Sequence, residues 1–170
     1  MTFPWKPIWG VHVPRRVAFF TWFAVWDRIL TADNLMRRGY QLAGQCYMCR
    51  CEGETMSLII ALSDSSWVVE FCVLELWYSM GDALGSFGFA FWMVKLVGKF
   101  HSRIWNMIPS CLIWTLWRER NRHVFEDEEH LDSQLLEFFS NLLFDWATVW
   151  GYTNSSSVIS FLDSLHLSHT

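Results

Sequence analysis

The sequence predicts a mainly α fold, a small helical domain interrupted by an irregular, cysteine-bearing insertion. Three observations predict it. Apolar residues recur at helical spacing near both ends of the chain, and helix punctuation stands where those patterns start and stop. Between them, Cys46, Cys49 and Cys51 sit close together in loop-like sequence. The length of 170 residues suits one domain or two small ones, and is ample for a core without disulfides.

In chain order, the run RRVAFFTWFAVWDRIL after Pro14 places Val17, Phe20, Ala24 and Trp26 among apolar positions at mixed helical spacing. Greasy on nearly all sides, this first helix is expected to be largely buried. Thr31 is a good N-cap for a short second helix, ADNLMRR, and Gly39 stands where a left-handed residue would end it. Residues 40–57 read as loop. Residues 57–100 give no clear period: SLIIALSDSSWVVEFCVLELW suits strand or helix, and GDALGSFGFAFWMV is broken by glycines. Pro109 suits the first turn of a helix through PSCLIWTLWRERNRHVF, with Ile113, Trp117 and Val124 on one face and Arg118 and Arg122 away from it. In the last helix Leu131, Leu135, Phe138, Leu142, Trp146 and Val149 form one stripe, with Leu136, Phe139 and Leu143 beside it. The domain is expected over 1–150, and 151–170 reads as a flexible C-terminal tail.

Composition narrows the function classes. Hydrophobic residues make up 52% and aromatic residues 18%, with 12 tryptophans, against 18% charged. That is more apolar surface than one small core easily hides, which predicts an exposed aromatic surface for a protein partner, or poor solubility. No apolar run reaches the roughly 18 residues of a membrane span, because Lys95, Lys99 and Arg118 interrupt the greasiest stretches. MTFPWKPIW lacks the pattern of a signal peptide. The expected location is intracellular, nucleus or cytoplasm. Five cysteines, an odd number, fit a reducing compartment better than a disulfide framework.

The net charge of −4 hides an asymmetry: residues 1–50 hold seven Lys/Arg against two acids, while the acids outnumber the bases beyond. Such a basic head can face a phosphate backbone through Arg15, Arg16, Arg37, Arg38 and Arg50. Solvated helix ends are the competing explanation for the same arginines. Arginines interleaved with Trp114 and Trp117 could likewise stack bases, but two tryptophans at i and i+3 are more simply core.

Cys46 and Cys49 form a C-x-x-C pair, one edge of a tetrahedral zinc site, and Cys51 follows. A closed structural site needs four N or S ligands. Cys51 would approach at an awkward angle, Cys72 lies in an apolar run where a buried cysteine is ordinary, and His12 or His101 would have to fold nearby. The ligand count argues against a closed site, so zinc is more readily lost than held. A redox role is weaker still, since no thioredoxin-like context surrounds the pair.

Three tracts support a resemblance. Trp9, Val13, Pro14, Arg16, Val17, Phe20 and Trp22 form the first, and Leu30, Thr31, Asp33, Asn34, Leu35, Arg38 and Gly39 the second. The third is Trp114, Trp117, Arg118, Glu119, Arg120, Asn121, Arg122, Phe125 and Glu126. Together with CYMC they make the chain resemble the zinc-binding domain downstream of the reverse transcriptase in plant non-LTR, LINE-type retrotransposons, over residues 3–51 and 85–151. The resemblance implies an accessory domain that helps a neighbouring polymerase hold RNA or DNA. It also implies an H-x-x-x-H-C segment after the first cysteine pair, where this chain has Leu58, Leu62 and Ser63. Single base changes or a local frame shift across 56–84 would each explain the departure. The zinc knuckle is therefore expected to be degenerate.

Catalysis finds no support. No aspartate pair for two metal ions, Gly-rich phosphate loop, H-E-x-x-H or nucleophile elbow occurs, and Asp127, Glu128 and Glu129 read as a solvated helix start. His123 and His130 flank that run with no nucleophile implied near them. No enzyme activity and no small-molecule substrate are expected. The competing class is a helical protein-interaction domain, or a remnant without function.

Overall fold

The computed structural model describes residues 8–42, Gly53, residues 103–126, Glu128 and residues 130–167. Among these residues the chain is helical, with no strand, in agreement with the mainly α expectation. The helices are α1 (Arg15–Val25), α2 (Ala32–Arg37), α3 (Arg103–Glu126), α4 (Asp132–Val149) and α5 (Val158–Leu167). α3 is the spine: α1 and α4 both pack on it, and α5 packs on α4. Its 24 residues span about 36 Å at the α-helical rise. The expected cysteine-bearing insertion lies outside the described residues.

α1 starts directly after Pro14, whose carbonyl accepts the N–H groups of Val17 and Ala18. It buries Val17, Ala18, Thr21, Ala24 and Val25, while Phe19, Phe23 and, just past its end, Trp26 are exposed. The expectation of burial on nearly all sides is thus corrected. α1 packs against α3, so the face turned away from it keeps its aromatic residues in solvent.

Three helix ends close in the same way, each around a left-handed residue. Asp27, at φ 50, ends α1: its N–H reaches the Ala24 carbonyl and the Arg28 N–H reaches Phe23. Gly39 and Gly151, at φ 92 and φ 66, do the same for α2 and α4. Aspartate tolerates this conformation better than most residues, but it still needs support. Asn34 supplies it, donating from Nδ2 to the carbonyls of Asp27 at 2.7 Å and Ile29 at 2.9 Å. Thr31 caps α2 as expected, its Oγ1 accepting from the Asn34 N–H.

α3 begins six residues before Pro109, which the sequence placed in its first turn. Ile104, Met107 and Ile108 are all buried in that early part. An interior proline costs about 3 kcal/mol, less than three large side chains gain by leaving water at roughly 1.5–3 kcal/mol each. Trp114 and Trp117 are half-buried against the core, and Val124 lies beyond it, partly exposed.

In α4 the buried face is Leu135, Phe139, Leu143, Trp146 and Ala147. Leu131 and Val149, at the two ends of the expected stripe, are 70% and 79% exposed. The helix is therefore rotated toward the row that the sequence placed beside the stripe. Leu131 has no side-chain acceptor for capping; instead the Gln134 Oε1 reaches back to its N–H at 2.9 Å.

The expected flexible tail also differs. Val158–Leu167 form α5, with Phe161 fully buried and Leu165 nearly so, and the Phe161 ring lies 5.4 Å from that of Phe144. Apolar residues at positions 158, 161, 162 and 165 repeat at helical spacing, a pattern hidden by the serine-rich lead-in. Phe161→Ala is expected to destabilise the domain by about 3–5 kcal/mol in chemical denaturation. An unchanged midpoint would show that α5 is not part of the core.

Candidate functional site

Of the expected phosphate-binding arginines, Arg15 and Arg16 open α1 and Arg37 and Arg38 close α2, all four exposed. Their positions differ physically. A cation at the end of α2 complements the helix dipole, whereas cations in the first turn of α1 oppose it. Helix stability thus accounts for Arg37 and Arg38 but not for Arg15 and Arg16. The Arg16 guanidinium lies 5.7 Å over the Trp114 ring, tying the start of α1 to α3. Arg28 adds a fifth exposed arginine in the loop after α1. Arg50 lies outside the described residues.

Aromatic rings cluster along α1 and beside it. Trp9 meets Phe19 edge-on at 4.9 Å and lies 5.9 Å from Trp22, which in turn lies 6.3 Å from Trp26. On the α3 side, Phe20 packs against Trp114 and Trp117, each at 5.4 Å. The two tryptophans are therefore packing residues, as the simpler reading of their spacing held. Their neighbouring arginines are engaged as well: Arg118 lies 4.6 Å over the Phe138 ring, and Arg120 is buried 5.0 Å over Trp117.

The other face of the same tract builds a feature that the spacing did not reveal. Glu119 is 4% exposed, and its carboxylate gathers three donors. Oε1 accepts the His130 backbone N–H at 2.8 Å and meets His123 Nε2 at 3.2 Å, and Oε2 meets His130 Nδ1 at 2.6 Å. Burial pushes this carboxyl up, but the side-chain and backbone hydrogen bonds from His130 and the charges of His130 and His123 outweigh it, holding Glu119 below the ordinary carboxylate range. The helix spacing of Glu119 and His123, i and i+4, was readable; the arrival of His130 was not. Beside them opens a cleft of about 270 Å³ lined in part by Arg118, Arg122, Phe125 and Phe138. Arg122 bridges Glu126 and Glu128 at its edge, so this arginine covers the acidic segment.

No three His, Cys, Asp or Glu residues gather to hold a metal among the described residues. His12, one conceivable zinc ligand, instead hydrogen-bonds the Tyr152 hydroxyl and packs against Trp150 at 4.8 Å. Cys111 is buried, with its Sγ 3.9 Å from the Phe139 carbonyl. Cys46, Cys49, Cys51, Cys72 and His101 lie outside the described residues, as do Leu58, Leu62 and Ser63. Among the described residues no helix is long and apolar enough to cross a membrane.

Residues 1–67 match the family described as zinc-binding in reverse transcriptase. The match takes in α1, α2 and the C-x-x-C pair, and α3 to α5 lie beyond it. No curated protein and no solved structure matches the chain.

Glu119→Ala would leave three buried or half-buried donors without their acceptor, and is expected to cost about 2–4 kcal/mol in denaturant unfolding. Because the folded carboxyl titrates below its unfolded value of 4.5, its contribution is complete above that pH and is lost as the pH falls through the lower folded value. The stability difference between the parent and Glu119→Gln should therefore shrink as the pH falls below 4.5. A difference that keeps growing below pH 4.5 would refute this assignment.

Proposed function

We propose that this chain is a retrotransposon-derived domain of the reverse-transcriptase zinc-binding type, a non-catalytic accessory module that binds RNA or DNA weakly through its basic head. The match over residues 1–67, with Arg15, Arg37 and Arg38 exposed on the helices inside it, carries the reading. The downstream Trp114–Glu126 tract extends it and favours a plant LINE-type source. Binding by point charges and guanidinium forks follows the phosphate backbone and reads little sequence.

The zinc site in this reading is degenerate. Cys46 and Cys49 supply two thiolates and Cys51 at most a third, and leucine and serine stand where the resemblance calls for two histidines and a cysteine. Leucine has no lone pair to offer a metal, so the donor set does not fit a closed tetrahedral site. A helical protein-interaction role is the second reading, favoured by the exposure of Phe19 and Phe23.

Binding to a labelled 20-nucleotide strand, followed by fluorescence anisotropy, is expected to be weak and strongly salt-dependent. With five arginines engaged, the logarithm of the association constant should fall by about 3.5 per tenfold rise in salt. Arg15→Ala, Arg37→Ala and Arg38→Ala together should flatten that slope. Absence of binding at low salt, or binding indifferent to salt, would sink the proposal. Elemental analysis of protein purified under reducing conditions is expected to find well under one zinc per chain. A full equivalent that Cys46→Ser, Cys49→Ser protein loses would instead mean that other ligands complete the site.

A further inference from the structure

The exposed face of α1 is more specific than a basic patch. Val17, Ala18, Thr21, Ala24 and Val25 turn toward the core, and Arg15, Phe19 and Phe23 step by four residues along the side turned away from it. Phe19 and Phe23 are 54% and 48% exposed, and Trp9 sets its ring edge-on against Phe19, buttressing it without covering it. The two phenyl rings sit on one rigid helix about 6 Å apart along its axis. Exposed arginines bracket them, Arg15 one turn before and Arg28 just past the helix end.

We propose that Phe19 and Phe23 are base-stacking platforms, so that this face takes single-stranded nucleic acid in preference to duplex. The inference rests on the nucleic-acid reading given above and adds the form of the ligand and the residues that select it. Its argument is chemical complementarity. A protein partner suits an apolar face with a polar rim, but here both ends of the aromatic row are cationic. A strand offers flat bases to stack on the two rings and phosphates on either side of them for the guanidinium groups at the two ends of the row. A duplex keeps its base faces stacked inward, so it can meet the arginines but not the rings.

The test compares labelled 20-nucleotide oligouridylate, oligothymidylate and a 20-base-pair duplex by anisotropy at fixed low salt. The variants are Phe19→Leu with Phe23→Leu, and Phe19→Tyr with Phe23→Tyr. Both positions are exposed, and unchanged circular dichroism and melting confirm the fold of each variant. The parent should prefer the single strands. The double leucine variant should lose about ten- to a hundredfold in single-strand affinity, keep its duplex affinity, and leave the salt slope unchanged. The double tyrosine variant, which keeps flat rings, should bind as the parent does. Equal affinity for duplex and single strand, or a leucine variant that binds like the parent, overturns the stacking inference while the basic-head reading stands. Loss of parent self-association in the leucine variant, with binding untouched, overturns it in favour of a protein interface. No binding to any strand overturns the nucleic-acid reading and this inference with it.

Discussion

The described architecture depends on α3 being buried from two sides. A helix that packs against one neighbour needs a single apolar stripe, but α3 meets α1 through Trp114 and Trp117 and α4 through Cys111 and Arg118. Its sequence is therefore apolar over much of its circumference between Ile104 and Leu116. The polar residues that remain in it need partners of their own. Glu119 is the clearest case, since a buried carboxylate is tolerable only because His123 and His130 converge on it. That convergence also sets where α4 begins, because His130 stands two residues before Asp132 and is held by both its backbone and its ring.

The head is ordered by a different device. α1 and α2 are short, and the turn between them is held by Asn34 grasping the carbonyls of Asp27 and Ile29, with Thr31 capping the helix that carries Asn34. Asp27 can stay left-handed because its carbonyl is fastened. The result is a small rigid corner that presents arginines at two helix ends, while the core-facing side of α1 is anchored on α3. A flexible loop bearing the same arginines would lose more entropy on meeting a polyanion.

Local patterns in the sequence spoke clearly where a helix starts or stops by its own chemistry. Thr31 and Gly39 marked the two ends of a helix that the structure shows. Features set by a distant neighbour were not legible. Pro109 looked like a helix start because nothing local showed that Ile104, Met107 and Ile108 would be buried before it. The stripe of α4 was misplaced because two adjacent apolar rows compete, and only the positions of α3 and α5 choose between them. α5 was hidden by serines whose hydroxyls cap and bridge locally, as Ser157 does with Ser160. The Glu119 cluster needed a partner 11 residues away across a turn, a spacing that no helical period contains. Of the candidate site, the arginines could be named from composition, but the exposure of Phe19 and Phe23 required knowing which side of α1 faces the core.

The packing among the described residues also bears on the proposed degeneracy of the metal site. In small zinc modules the metal supplies folding energy that a thin core cannot, so loss of ligands unfolds them. Here the core among the described residues runs from Ile8 through α1, α3 and α4 to Phe161 and Leu165, and the cysteine within it, Cys111, is a packing residue. Helix ends are closed by backbone hydrogen bonds and by Asn34, and the α3–α4 turn by Glu119. None of these contacts calls on Cys46 or Cys49. Among the described residues, Arg15, Phe19 and Phe23 are thus held in place by the packing of α1 on α3 and by the hydrogen bonds that close the helix ends.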